Sequence, residues 1–382
     1  MSSKLVSKFL VTTAIAAGIL APAPAYASDN MDKVVEIFAN TLKAAGAKNV
    51  EQTDVKGDDS KFTLSGVEID TGVEGDSYTI EEVTFIGAKP TADGGMQADE
   101  IDFTGVELNT EKGATKINTI KTTGYVSAAP EKIKQPGGWR FDRIEATNLE
   151  LGDDKMTIPV SYVLMTAGDF SDNMPHKGTL EVRGLVIPVS ANDPQMKDVA
   201  ALGYKELAFD AALKGSWDPK SGRASLDGLT VSAKDAATLQ FAFAIGGLTP
   251  DIVKQMAATK NNSDQMLGLI QGLSIESASL RIENNSLFER EIDATAKKQG
   301  VTKEALLQQG TAMVPMIVAT IQNPAFEKKI TDAVAAFIAS PKSLSLTVAP
   351  QQPVPVPQII GVAGAAPQTL PDVLNADIKA NN

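Results

Sequence analysis

One eight-residue apolar rhythm recurs seven times in this chain, and each time it changes phase in the middle. The pattern is apolar, any, apolar, any, any, apolar, any, apolar. It reads Phe62/Leu64/Val67/Ile69, Tyr78/Ile80/Val83/Phe85, Ile101/Phe103/Val106/Leu108 and Ile144/Ala146/Leu149/Leu151 in the first half. It returns as Leu180/Val182/Leu185/Ile187, Ala224/Leu226/Leu229/Val231 and Leu273/Ile275/Ala278/Leu280. Period-two alternation marks a half-buried strand, and an extra residue that resets the phase marks a bulge or bend. The starts are unevenly spaced, which excludes a solenoid of fixed repeat length.

A two-residue hairpin would produce the same spacing. The middle residues discriminate: Ser65-Gly66, Glu81-Glu82, Thr104-Gly105, Thr147-Asn148, Arg183-Gly184, Asp227-Gly228 and Glu276-Ser277. A type I′ turn needs positive φ at both positions and type II′ needs glycine first. Asp227-Gly228 alone meets either rule, and is expected as the exception. Elsewhere the second position is mostly Gly or Asn, which enter the left-handed region cheaply. A single such residue in an extended run predicts a bent strand. The fold class expected is mainly β with helices (α+β): a long, curled antiparallel sheet of bulged strands, an N-terminal helix and a C-terminal helical cluster.

Lys4 and Lys8 precede an apolar run from Phe9 to Leu20, and Ala25-Tyr26-Ala27 is a small-x-small site before Ser28. This predicts a secretory signal peptide over 1–27, cleaved between Ala27 and Ser28, and a bacterial periplasmic location. No later stretch predicts a transmembrane segment. The absence of cysteine excludes disulfides, thiolate metal sites and a cysteine nucleophile. A net charge of −12 disfavours nucleic acid as a partner. Aromatic content of 5% argues against a membrane barrel with aromatic girdles.

Three further segments follow the leader. A curled sheet domain spans 28–248, opened by a helix over Asp29–Ala45 that Gly46 closes. A helical cluster with interleaved strands spans 249–349. Its helices are expected from Thr249-Pro250, from Ser263, from a capping box at Ser286–Glu289 to Gly300, over Thr302–Gln322 with Pro315 inside, and from Asn323-Pro324. The segment 350–382 is a proline-rich connector, extended over Pro350–Pro357, with a terminal strand over Val373–Ile378. Asp169–Gly178 is expected as a polar loop holding His176, the single histidine.

Catalytic signals are sparse. His176 has no nucleophile elbow to serve. Asp153-Asp154, Asp169 and Asp172-Asn173 offer oxygen ligands without EF-hand spacing. Glu68, Glu107 and Glu150 share one slot of their repeats and read as the wet face of a sheet. No cofactor, metal or catalytic residue is expected, and the chain reads as a non-enzyme. Ligand-lining residues are expected instead: Phe62, Leu64, Phe85, Phe103 and Leu108 on the sheet, with Met313, Ile317, Phe326, Ile330 and Phe337 on helices that either close over a groove or pack as ordinary core.

Strands such as Ile101–Leu108 after a secretory leader resemble the AsmA-like and YdgA-like bacterial envelope proteins. Tyr204–Asp210, Trp217-Asp218-Pro219, Leu226–Leu229 and Ser279–Glu283 leading into Ser286–Arg290 are similar to the YdgA-like group in particular. The resemblance implies a curled sheet in the periplasm and, for AsmA-like members, envelope lipid transport; no functional residue carries over from it. The expected function is a non-catalytic binder or carrier of a hydrophobic, lipid-like ligand. The alternative is a structural or interaction protein with a fully packed core.

Overall fold

The computed structural model describes residues 29–111, 113–135, 137–153, 156–259 and 263–382. The expected leader and Asp154 lie outside them. The chain forms two compact units, the first ending at Leu185 and the second running from Val186 to Asn382. Antiparallel strands dominate both.

The first unit opens with helix α1 (Asp29–Ala45), as its apolar spacing predicts. Its strands are β1 (Asn49–Glu51), β2 (Asp54–Gly57), β3 (Lys61–Asp70), β4 (Ser77–Ile86), β5 (Lys89–Pro90), β6 (Met96–Thr110), β7 (Gly113–Ser127), β8 (Trp139–Arg140), β9 (Arg143–Gly152), β10 (Thr157–Ser171) and β11 (Met174–Pro188). The last of these crosses the boundary at Leu185. Hydrogen bonding orders the long strands β3–β4–β6–β7–β9–β10–β11 as a meander. β1 and β2 both pair with β3, β5 with β6 and β8 with β7.

All five phase-shifting segments of this unit are continuous strands, and their phase changes fall on one line. Pairs on either side show Gly66 opposite Glu81, Glu81 opposite Gly105, Gly105 opposite Asn118, Asn118 opposite Asn148, and Asn148 opposite Ser161. The register never slips across that line. Gly66, Gly105, Asn148 and Gly184 have φ of 59°, 62°, 50° and 64°. A left-handed residue reverses which side the following side chains face, so residues that strict alternation would place on opposite faces all point inward. A second line lies six residues away, where Gly87 opposes Asp99 and Gly124 opposes Asp142; both glycines have φ of 63°.

The inward face is closed by α1. Met31, Val34, Val35, Phe38, Ala39 and Leu42 are buried against it. Phe38 meets Phe85 edge-on at 4.7 Å between ring centroids, and Phe85 stacks on Phe62 at 4.9 Å. The outward face is wet, as the glutamate slot predicts. Glu68, Thr79, Glu107, Lys116 and Glu150 form one cross-strand row. Lys116 Nζ donates to Glu107 at 2.7 Å, so a cation of the chain already occupies the middle of that row.

The second unit contains β12 (Glu206–Asp218), β13 (Arg223–Ala233), β14 (Ala237–Gly246), β15 (Ser274–Asn284), β16 (Ser343–Val348), β17 (Val354–Pro355) and β18 (Ala376–Ala380). β12–β13–β14–β15–β16–β18 pair in that order, and β17 pairs with β15. Here the same rhythm has a different backbone solution. Lys214 pairs with Gly228 but Gly215 pairs with Leu226, leaving Asp227 as an extra residue; Ala244 pairs with Ser277 but Ile245 with Ile275, leaving Glu276 extra. Asp227-Gly228, the expected hairpin exception, therefore lies inside β13. Gly228 pairs with Lys214 of β12, and Leu226 and Leu229 on either side of the step pair with Phe243 and Phe241 of β14, so the chain runs on as a strand.

The longer helices of this unit are α2 (Pro250–Thr259), α3 (Ser263–Ile270), α4 (Leu287–Gln299), α5 (Lys303–Val318), α6 (Pro324–Ala339) and α7 (Val356–Ala365). Thr302 caps α5 by accepting from the Ala305 amide, and Asn323 caps α6 by accepting from the Phe326 amide. The capping box at α4 does not form. Ser286 Oγ donates to the Asp235 carbonyl instead, and Asn284 Oδ1 accepts from the Phe288 amide. The extended reading holds only to Pro355, because Val356-Pro357 opens α7, where a proline's missing N–H costs nothing. The terminal strand begins at Ala376 rather than Val373. The expected loop at 169–178 is a strand hairpin turning at Asp172-Asn173, both with positive φ. The expected domain boundary at 248/249 follows the onset of helices, whereas the units divide at 185/186, because β14 hydrogen-bonds directly onward to β15.

Candidate functional site

The expected ligand-lining residues divide between the two units. Phe62, Leu64, Phe85, Phe103 and Leu108 belong to the first, with exposures from 0% to 8%. They sit in the core beneath α1 rather than along an open groove. The remaining five belong to the second unit. Phe326 and Ile330 are half-buried, and Phe337 packs edge-on against Phe288 at 5.1 Å. Met313 and Ile317 point outward, 41% and 60% exposed, while Val318 on the opposite side of α5 is buried.

The rhythm that makes a sealed core in the first unit leaves an apolar surface in the second. Cross-strand pairing assembles Leu213, Leu229, Phe241, Leu280, Leu346 and Ile378 into one row across six strands. A parallel row contains Ala211, Val231, Leu239, Ile282 and Leu344. Within these rows Leu239, Ile282 and Leu346 remain 37%, 41% and 38% exposed, and no row member is buried. At a strand spacing of about 4.8 Å, six strands give a row about 24 Å long.

The opposite side of that sheet is polar. A hollow of about 500 Å³ over β13–β16 is lined by Leu229, Phe241, Ala242 and Leu280 as well as by Thr230, Gln240, Arg281, Ser345 and Thr347. Arg281 donates from Nε to Glu283 at 2.9 Å and from Nη1 to Asn382 Oδ1 at 2.9 Å, so its guanidinium is engaged by the chain's own groups. In the first unit a hollow of about 350 Å³ is walled by Glu51, Glu68, Asp70, Asp76 and Tyr78.

The remaining polar candidates lie apart from both apolar surfaces or are held by the chain's own groups. Ser171 Oγ and His176 Nε2 lie 2.7 Å apart across the hairpin. Asp169 pairs with Lys177 at 2.5 Å, and that ammonium holds its carboxyl below the usual carboxylate range. Asp153 accepts from the Met156 amide. Among the described residues no group of three His, Asp or Glu side chains is placed to hold a metal ion. On the wet face of β6, burial and then the neighbouring Glu100 carboxylate raise the Asp102 pKa, with Lys121 acting in the opposite sense. Asp102 Oδ1 is buried without a hydrogen-bond partner.

Residues 230–381 match the model of a family described only as an uncharacterized protein. The match begins inside β13 and runs to the end of β18. No curated protein matches the sequence.

Proposed function

We propose that the protein is an exported, non-catalytic envelope component that binds the acyl chain of a lipid-like ligand on the apolar face formed by the strands of its second unit. One observation carries this reading: Leu239, Ile282 and Leu346 stand more than a third exposed on adjoining strands, where Phe62, Leu64, Phe85 and Phe103 of the first unit are buried in one core with α1. Burying apolar surface is worth about 25 cal/mol per Å². A row of about 24 Å exceeds the roughly 15 Å that one leaflet offers an acyl chain. A curl of the sheet along its register slips at Asp227 and Glu276 would cup the chain; it is part of this proposal.

Native mass spectrometry of protein purified from its host, with fluorescent fatty-acid titration of delipidated protein, tests the reading. Bound lipid and saturable uptake are expected. The double variant Leu239→Gln/Ile282→Gln is expected to weaken uptake at least about tenfold, a loss of about 1.4 kcal/mol. Lipid-free native protein that takes up no probe would eliminate the proposal. The structural alternative draws its support from the filled core of the first unit.

A further inference from the structure

We infer a second surface, independent of the ligand face: the outer side of α5 docks on a lipid surface. From Ala305 to Phe326 the sequence contains no charged residue. This run covers nearly all of α5 and the turn after it. Its inner side, with Val318 buried, faces the protein. Its outer side presents Met313, Met316 and Ile317 at one-turn spacing, 41%, 68% and 60% exposed. An exposed helix of a water-soluble surface ordinarily sets charges around such residues. Here Gln308, Gln309, Gly310, Ala312 and Thr320 surround them instead.

The chemistry favours a lipid over a protein partner. Protein hot spots are enriched in Trp, Tyr and Arg, and this side of α5 has none. Insertion to the acyl boundary requires an uncharged apolar ridge with cations at its margins, where long side chains reach phosphate groups. Exposed lysines stand on both margins in sequence: Lys297, Lys298 and Lys303 before the uncharged run, Lys328 and Lys329 after it. Lys303 pairs with Asp293, Lys328 with Asp332 and Lys329 with Asp377; among the described residues Lys297 and Lys298 have no ion pair. No described helix is long and apolar enough to cross a membrane, so α5 would lie in the interface plane. The chain's net charge of −12 opposes anionic surfaces, so the apolar ridge must supply the attraction.

The test is flotation of the whole mature protein with phosphatidylcholine vesicles. Binding that survives about 0.5 M salt is expected, since salt at that level screens charge but not apolar insertion. Met316→Glu/Ile317→Glu should reduce vesicle binding at least about tenfold while leaving fatty-acid uptake unchanged. That separation distinguishes failure here from failure of the ligand site. Should the double variant not fold, Met316→Trp provides an alternative: a blue-shifted indole emission on adding vesicles is expected. Wild-type protein that stays with the aqueous phase, a charged variant that floats like wild type, or an introduced indole whose emission does not move would each overturn the proposal. So would a concentration-dependent dimer abolished by the charged variant, which would assign the ridge to a second copy of the chain.

Discussion

Gly105 shows how much a single backbone angle carries. Its φ of 62° lets Ile101 and Phe103 share the buried face with Val106 and Leu108, and an added Cβ would run into Glu81 on the neighbouring strand. Gly105→Ala is expected to destabilise by about 1–2 kcal/mol, the cost of an L-residue in the left-handed region. Urea denaturation measures it, and a loss under about 0.3 kcal/mol would refute the role given to this angle. Tyr125 supplies a titration test. Complete burial pushes its phenol up to about 12, from an ordinary value of 10. The raised value means that the neutral phenol stabilises the fold fully below pH 10, and that this contribution is lost as pH rises towards 12. Between denaturation at pH 9 and at pH 11, wild type should lose about 1 kcal/mol more than Tyr125→Phe. Asp102 is raised for a related reason, so its ionisation at neutral pH weakens the fold. Asp102→Asn is expected to be the more stable protein at pH 7, with the advantage vanishing below pH 3.8; equal stability at pH 7 would contradict the assigned cause. At this scale the sequence was informative about Gly66, Gly105, Asn148 and Gly184, because Gly and Asn stand out among neighbours that resist positive φ. It misled at Asp227-Gly228, where turn chemistry is present but two flanking strands outweigh it, and at Ser286, whose hydroxyl serves Asp235 instead of its own helix.

Among the elements, α1 is the one whose loss would matter most to the first unit. Phe38 is 1% exposed and stands edge-on to Phe85. Phe38→Ala should cost about 3–5 kcal/mol by leaving a cavity between helix and sheet, measured by thermal or urea unfolding. A cost below about 1 kcal/mol would mean that α1 is not the lid of this core. Two strands lay hidden in the sequence. β7 keeps the rhythm as Thr115/Ile117/Ile120/Thr122, its threonines disguising buried positions. β10 has it in full as Ile158/Val160/Val163/Met165, interrupted by Pro159 on the outer face. The helix α7 was concealed by prolines that read as extended chain but stand where a helix begins. By contrast α1, α2, α5 and α6 were legible: an apolar stripe closed by Gly46 marks α1, Thr249-Pro250 and Asn323-Pro324 open α2 and α6, and Thr302 caps α5.

For the whole molecule, the two units put one motif to contrasting uses, sealed in the first and partly open in the second. Export is testable at the same scale. Expressed with its leader in a bacterial host, the chain should be recovered from the periplasmic fraction with Ser28 as its first residue by N-terminal sequencing. An intact Met1 terminus on cytoplasmic protein would refute the export reading. The candidate surface was only half legible, because apolar spacing reports which side chains share a face and is silent on what covers it. Phe62 and Leu239 both stand on the apolar side of their strands, yet one is 1% and the other 37% exposed.

From its own order of residues the chain determined strands that change face midway, a helix at each place where cap and apolar stripe coincide, and the absence of cysteine chemistry. Those are local consequences of backbone sterics and periodicity. Whether a phase change becomes an in-register line of left-handed residues or a one-residue slip depended on the strands alongside. Whether an apolar row becomes core or surface depended on a helix arriving from elsewhere. Both outcomes are set by contacts between residues far apart in sequence, which no local pattern encodes.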